Sequence, residues 1–378
     1  MKLSCTQENL AKGLATVGRA VATRSPLPVT SNVLIATDDS RLKLAATNLD
    51  IAITCWINAK IEEDGAITVP ARLVGEFVNS LPNDRIDMKL NERQRSLNLK
   101  CGHFEANVKG IDADEFPPIP SVESEGAIAV DPKELRDAIE QVAFAAATDD
   151  SRPVLAGVSM VFDGETLTLA AADGFRLAVL EMPLPEAVAS RIDIIVPARA
   201  LTELSRIVGD AEEPLQITVT PNRGQVLFRL PNVQLVSRLI EGTFPNYRQI
   251  IPGKHTTRVV VSTKEFLGAT KIASYFARDS ANIVRLHAKP GEEIAPGQLT
   301  VAATAAEVGD TTGGIDAVIE GEEAQIAFNA KYLTDVLSVM DAQQVALEIT
   351  TPSSPGVVRP SSENGAYTHV IMPMHVAR

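Results

Sequence analysis

Apolar residues recur with helical spacing at three widely separated places in the chain. They fall at Leu10, Leu14, Val17 and Val21, at Leu135, Ile139, Val142 and Ala146, and at Phe266, Ala269, Ala273 and Phe276. Steps of three and four residues put each set on one helix face. The middle set follows Asp131-Pro132, an N-cap with proline in the first turn, and the third follows Ser262 or Thr263. Three more helices open at Pro70, Pro197 and Asn329. The pattern predicts helices over 7–22, 70–81, 132–147, 197–208, 263–278 and 329–341. Between them lie alternating runs such as Leu167–Ala171 and Leu215–Thr220, with turn signals at Asp163-Gly164 and Asn222-Arg223-Gly224. These predict strands, and so an α+β chain.

The elements repeat. The windows Ile67–Phe77 (ITVPARLVGEF), Ile194–Leu204 (IIVPARALTEL) and Ile326–Val336 (IAFNAKYLTDV) align without gaps. Each has a base (Arg72, Arg199, Lys331) four residues before an acid (Glu76, Glu203, Asp335). A second anchor agrees: LKLAAT at 42–47, LTLAAA at 167–172 and LTVAAT at 299–304. Phe116-Pro117 and Phe244-Pro245 close two of the units. The period is domain-sized, far beyond that of a solenoid repeat. Polar or Pro/Gly-rich stretches at 121–126 and 252–257 serve as linkers. The predicted organisation is three tandem copies of one domain, over 1–121, 127–252 and 256–378, each with two helices on β-sheet.

Charge changes meaning once it is divided among these elements. The 378-residue chain carries a formal −13, which at face value repels nucleic acid. The six predicted helices, however, hold eleven Lys and Arg against nine Asp and Glu, so the acidic excess lies in the remainder. Helix bases recur at spacings of seven: Lys12 and Arg19, Arg199 and Arg206, and Lys264, Lys271 and Arg278. Seven residues are about two turns, so each set shares a face. Arg24 and Arg152 lie just past two helix ends. The expectation is a helix-lined positive surface in an acidic body.

No phosphate-binding loop, dinucleotide fingerprint, HExxH or GxSxG motif occurs. No two of the five histidines have metal-ligand spacing, and the acidic pairs Asp38-Asp39, Asp149-Asp150 and Asp112/Asp114 fall at turn signals. The reading is of a protein with no catalytic residues, metal or cofactor. Cys5, Cys55 and Cys101 are scattered and odd in number, as expected of reduced core thiols in a cytoplasmic protein. The first residues, MKLSCTQEN, lack the apolar core of a secretory signal, and no apolar run reaches the ~18 residues of a membrane span. The end of the chain, Val370–His375 (VIMPMH), reads as an adaptable apolar wall or a buried last strand.

Taken together, LAAADGFRL at 169–177, the VPAR helices, Phe244–Arg248 (FPNYR) and the terminal VIMPM resemble the bacterial sliding clamps, the beta subunits of DNA polymerase III. The resemblance covers the whole chain. It implies a non-catalytic processivity factor of the replicative polymerase: a head-to-tail homodimeric ring around duplex DNA without base readout. The implied DNA-facing residues are Lys12, Arg19, Arg24, Arg152, Arg199, Arg206, Lys264, Lys271 and Arg278. The implied subunit interface sets Tyr275 and Phe276 against Ala106 and Val108 of the other copy. The resemblance also implies a pocket for short linear peptides of the polymerase, the clamp loader and repair proteins. Its residues would be Leu155, Ala172, Gly174, Phe175, Arg176, Leu177, Pro245, Gln249, Ile250, Val370, Met372, Pro373 and Met374. Such clamps usually have TDGHR where this chain has Ala172–Arg176 (ADGFR), and they end at Arg or Arg-Leu where it continues His375–Arg378.

Overall fold

The computed structural model describes residues 1–24, 26–120, 126–149, 151–209, 211–278, 280–291, 296–307, 309–362 and 366–375. Residues 121–125 of the first linker therefore lie outside the described residues, as do Asp150 and the last three residues. Six α-helices are present among the described residues: α1 (Gln7–Val17), α2 (Ala71–Ser80), α3 (Pro132–Val142), α4 (Ala198–Val208), α5 (Thr263–Ala277) and α6 (Ala330–Val339). The long forms expected at 7–22 and 132–147 are shorter than predicted. Each tightens into a 3₁₀ turn, at Gly18–Ala20 and Ala143–Ala145, before the chain turns extended. Thr6, Asp131 and Ser262 receive first-turn amides at the three N-caps, which decides the third in favour of Ser262.

The chain divides into two compact units, residues 1–136 with 203–239, and 137–202 with 240–378. The boundaries pass within α3 and α4, so neither unit matches a sequence copy. The first unit holds a five-stranded sheet in the order Lys60–Glu63, Lys2–Thr6, Arg85–Asn91, Ser96–Cys101, Phe104–Lys109. It also holds an eight-stranded sheet in the order Ile128–Val130, Leu215–Val219, Gln225–Leu230, Val233–Arg238, Ile51–Asn58, Arg41–Thr47, Asn32–Asp38, Ala66–Pro70. The second unit holds twelve strands in the order Ile192–Pro197, Gly157–Asp163, Thr166–Ala172, Arg176–Pro183, Tyr367–Ile371, Gly356–Pro360, Gln344–Ile349, Thr257–Ser262, Gly309–Gly321, Gly297–Ala305, Ile283–Lys289, Ala324–Asn329.

Each large sheet contains a seam where strands of two sequence copies pair. In the first unit Ala52 faces Val236 and Ile53 faces Leu235. In the second, Leu177 faces Val370 and Ala178 faces His369. The hairpins Thr47–Ala52 and Ala172–Leu177 occupy matching places in the repeat. The two seams therefore share one register. Hydrogen bonding across copies is why the compact units cut through the middle copy.

Helices pack on these sheets through aliphatic contacts, with Leu10, Leu14 and Val17 of α1 buried above the strands. Gly13 permits the approach: a Cβ there would lie 2.6 Å from Leu44 Cδ1 and 3.1 Å from Ile57 Cγ2. Gly13→Val should destabilise the protein by about 1–3 kcal/mol through overpacking. Urea unfolding checks this, and an unchanged midpoint would show that α1 can lift without cost.

Candidate functional site

The seam of the second unit carries an apolar patch on one face. Ala170, Leu177, Val179, Val357 and Val370 form its buried floor, and Ala172, Phe244, Tyr247 and Ile251 pack against it. The sequence marked Leu177, Val370 and Ala172; it missed Phe244, Tyr247 and Ile251. Phe244 stood beside the quoted Pro245, and the Phe244 and Tyr247 rings meet edge to face at 6.2 Å. Around the floor stand Phe175, 57% exposed, together with exposed Ile250 and Met372. Large apolar side chains left in water in this number mark a binding surface.

Backbone hydrogen bonds fix the rim. The Met372 amide donates to the Phe175 carbonyl at 2.8 Å, and the Met374 amide to the Ala327 carbonyl at 2.8 Å. The last strand thus continues as a strap past Pro373. Gly174 has φ +93°, a left-handed value that favours glycine, and its turn is closed by the Asp173 carboxylate accepting the Phe175 and Arg176 amides. The Arg152 guanidinium donates to the Asp173 carbonyl at 2.8 Å and to Asp149 Oδ2 at 2.8 Å. That ties the turn bearing half-buried Leu155 to the Gly174 turn, and it pulls the Asp149 carboxyl down to about 2. Pro245 and Gln249 are exposed, and Pro245 lines a neighbouring cavity of about 330 Å³.

Arg176, expected among the pocket residues, is 9% exposed and points inward. It donates to Asp173 Oδ2 (3.0 Å), Asp335 Oδ2 (2.7 Å) and the Phe144 carbonyl (2.8 Å), and lies over the rings of Tyr332 and Phe144. A buried cation needs such saturation. Its role is to hold the Gly174 turn against α6 and the end of α3. Beside it, His369 is fully buried, stacked on Phe144 and Tyr367.

The nine predicted helix-associated bases are all exposed. Lys12, Arg19, Arg24 and Arg206 belong to the first unit, and Arg152, Arg199, Lys264, Lys271 and Arg278 to the second. Glu203 accepts from both Arg19 (3.2 Å) and Arg206 (3.0 Å), while Arg72–Glu76 and Lys331–Asp335 form i,i+4 pairs. Among the acidic pairs read as turn caps, Asp112 accepts the Asp114 amide, whereas Asp38 accepts from Trp56 Nε1 at 2.8 Å.

Two of the open strand edges carry the predicted interface residues or lie beside them. Strand Phe104–Lys109 ends the five-stranded sheet, with Ala106 half-buried and Phe104 56% exposed. Val108, expected at the interface, is only 4% exposed, and its side chain belongs to the core. Strand Gly309–Gly321 pairs on one side over 309–317 and on the other only over 317–321, which frees the edge of 309–316. That edge borders a cavity of about 580 Å³ lined by Ile272, Ala269 and Gly313. Tyr275 is exposed and Phe276 half-buried near the end of the same helix. The sequence reading missed Phe104 and Ile272.

Among the described residues no helix is long and apolar enough to cross a membrane. Residues 1–120, 129–246 and 248–375 match the family models for the N-terminal, central and C-terminal domains of the DNA polymerase III beta subunit. The chain is 33% identical to the beta sliding clamp of Synechococcus elongatus, covering all of both, and 31% identical to that of Bacillus subtilis, covering 99% of both. It superposes on the crystal structure of the Bacillus subtilis DNA polymerase sliding clamp with a TM-score of 0.93, at 31% identity over the whole of each chain. With the Pseudomonas aeruginosa clamp the TM-score is 0.89, at 28% identity and full coverage of both.

Burial, aided by the Arg176 charge, lowers the His369 imidazole to about 3. The folded chain keeps it neutral, while the unfolded chain protonates it near 6.5. Its contribution is thus complete above that value and lost as pH falls toward 3. Between pH 7 and pH 5 the loss should be about 2 kcal/mol. Urea midpoints across this range should fall less steeply in His369→Phe; equal slopes would mean His369 is not held neutral.

Proposed function

The chain belongs to the beta sliding clamp family of DNA polymerase III subunits, and we propose that two copies close head to tail into a ring that encircles duplex DNA. Its function is that of a DNA sliding clamp. The three sequence copies, at 1–121, 127–252 and 256–378, would give six domains per ring. The clamp does no chemistry of its own and works in the cytoplasm, holding the replicative polymerase to its template.

The observation that carries closure is the shared seam register. Copy one and copy two contain matching hairpins, Cys101–Phe104 and Leu230–Val233, so Asn107 corresponds to Val236. The third hairpin pairs Thr304 with Asp310, so Asp310 corresponds to Ala52 and Leu177. Repeating the register between two molecules sets Asp310 against Asn107, Thr311 against Ala106, and Gly313 against Phe104. Ala106 and Thr311 both lie on the partly buried face of their strands. Phe104 would enter the groove beside α5, where Gly313 leaves it room. Val108 contributes backbone only, and Tyr275 and Phe276 sit at the margin. Two different edges meeting head to tail close a ring when the rotation permits.

Once closed, the ring needs no tight grip. The nine exposed bases supply weak, exchangeable phosphate contacts that allow sliding. The acidic remainder discourages binding elsewhere. The apolar patch of the second unit receives short linear peptides of the polymerase, the clamp loader and repair proteins, with Met372 and Met374 as adaptable contacts. Phe175 and Ala172 make its edge more apolar than the usual family pattern.

Ala106→Cys with Thr311→Cys in one chain should oxidise to a species of twice the 40.4 kDa chain mass. Glu105→Cys with Thr311→Cys should not, because Glu105 points to the opposite face. Equal cross-linking of both, or a monomer by native mass measurement, would reject the register. Met372→Ala with Met374→Ala should weaken binding of a polymerase-derived peptide at least tenfold while native mass stays unchanged. Unaltered affinity would remove these residues from the site.

A further inference from the structure

Beyond the apolar floor the groove changes chemistry. Ile251 packs against the floor and also lines a cavity of about 430 Å³ whose other walls include Arg248, Lys254, His255 and Arg359. The one carboxylate lining it among the described residues is Glu348. In a chain of charge −13 this local balance is reversed.

The single carboxylate leaves donors over. Glu348 is 3.6 Å from Arg359 Nε and 4.0 Å from His255 Nδ1, beyond hydrogen-bond reach. Arg359 Nε is buried with no hydrogen-bond partner, while the rest of the side chain stays about a third exposed. Lys254 forms no ion pair with any described residue. Arg258, across the strand from Glu348, is engaged elsewhere, with Glu320 and the Ser361 carbonyl. The segment bearing Lys254 and His255 is anchored: the Thr256 hydroxyl donates to the Thr350 carbonyl at 2.9 Å, and the Thr350 hydroxyl to the Lys254 carbonyl at 2.9 Å. The backbone bearing Lys254 and His255 is thus held in place, with the Lys254 ammonium and the Arg359 guanidinium open to an anion.

We propose that this basic cavity is an extension of the peptide site that receives acidic residues flanking the apolar anchor of a partner peptide. The inference rests on the apolar patch being a peptide site. Continuity through Ile251 favours a peptide over DNA, because one ligand can then fill an apolar floor and a cationic end together. Complementary charge here sets partner choice and association rate more than total affinity.

The test uses two synthetic peptides with the same apolar anchor, one flanked by three acidic residues and one by serines, and full-length protein in fluorescence anisotropy. At low salt the acidic peptide should bind about five- to tenfold tighter, the gap narrowing as salt rises. Lys254→Gln with Arg359→Gln should abolish the gap and leave the serine peptide unchanged. Lys254→Gln with Arg248→Gln should do the same and covers the case in which loss of Arg359 unfolds the strand. Equal binding of the two peptides to the unaltered protein, or a gap that persists in both variants, overturns the proposal. If neither peptide binds, the peptide-site reading itself fails and takes this inference with it. If a short DNA duplex displaces the acidic peptide but not the serine peptide, the cavity binds phosphate and the proposal is wrong.

Discussion

An open β-strand edge can recruit another strand, and the organisation of this chain follows from the edges that do. Unpaired amides and carbonyls along an edge are a template for another strand. The chain makes such pairings twice internally, at Ala52/Val236 and at Leu177/Val370, in one repeated register. The edges of 104–109 and 309–316 have no internal partner among the described residues. In the proposed ring a second copy would supply both. Closure would then be the same interaction as folding, carried out between molecules.

The three seams also differ in a way that separates a binding site from a sealed joint. In the first unit, Ala52, Leu227 and Val236 are covered by Ile119 from the first linker region, leaving a cavity of only about 80 Å³. In the second unit, Phe244, Tyr247 and Ile251 come from the corresponding connection but leave Phe175, Ile250 and Met372 exposed. At the proposed seam between molecules no connection would pass. The positions corresponding to that apolar face are Glu105, Asn107, Asp310 and Thr312, and Asn98 Nδ2 donates to Glu105 and Asn107. Apolar residues stand where a linker covers them or where the proposed peptide would, and polar ones stand on these two open edges.

Much of this was legible in the sequence because it is local or periodic. The six helices, their caps and the threefold anchors follow from spacing; helix ends were misjudged most where α-helix tightens to 3₁₀, and by two residues at the end of α6. Cross-copy pairing was not legible: a strand such as Tyr367–Ile371 shows alternation but not which of several distant strands it joins. The same limit hid Arg176. An arginine beside Gly174 and Phe175 reads as one more pocket residue, and only tertiary packing shows Asp335 and the Phe144 carbonyl drawing it inward. Val108 shows a related limit, since on a short edge strand one side chain can belong to the core while its backbone remains open.

Net charge is the property whose meaning changed most. Spread evenly, −13 would exclude nucleic acid; gathered away from the helix bases, it suits a protein that surrounds DNA and does not cling to it. Retention should therefore depend on topology, not on grip. The direct measurement is the amount of protein left on circular DNA after loading, before and after a single linearising cut, in salt that screens phosphate contacts. The account predicts stable retention on the circle and rapid loss once ends are present. Equal loss from both, or equal retention on both, would contradict it.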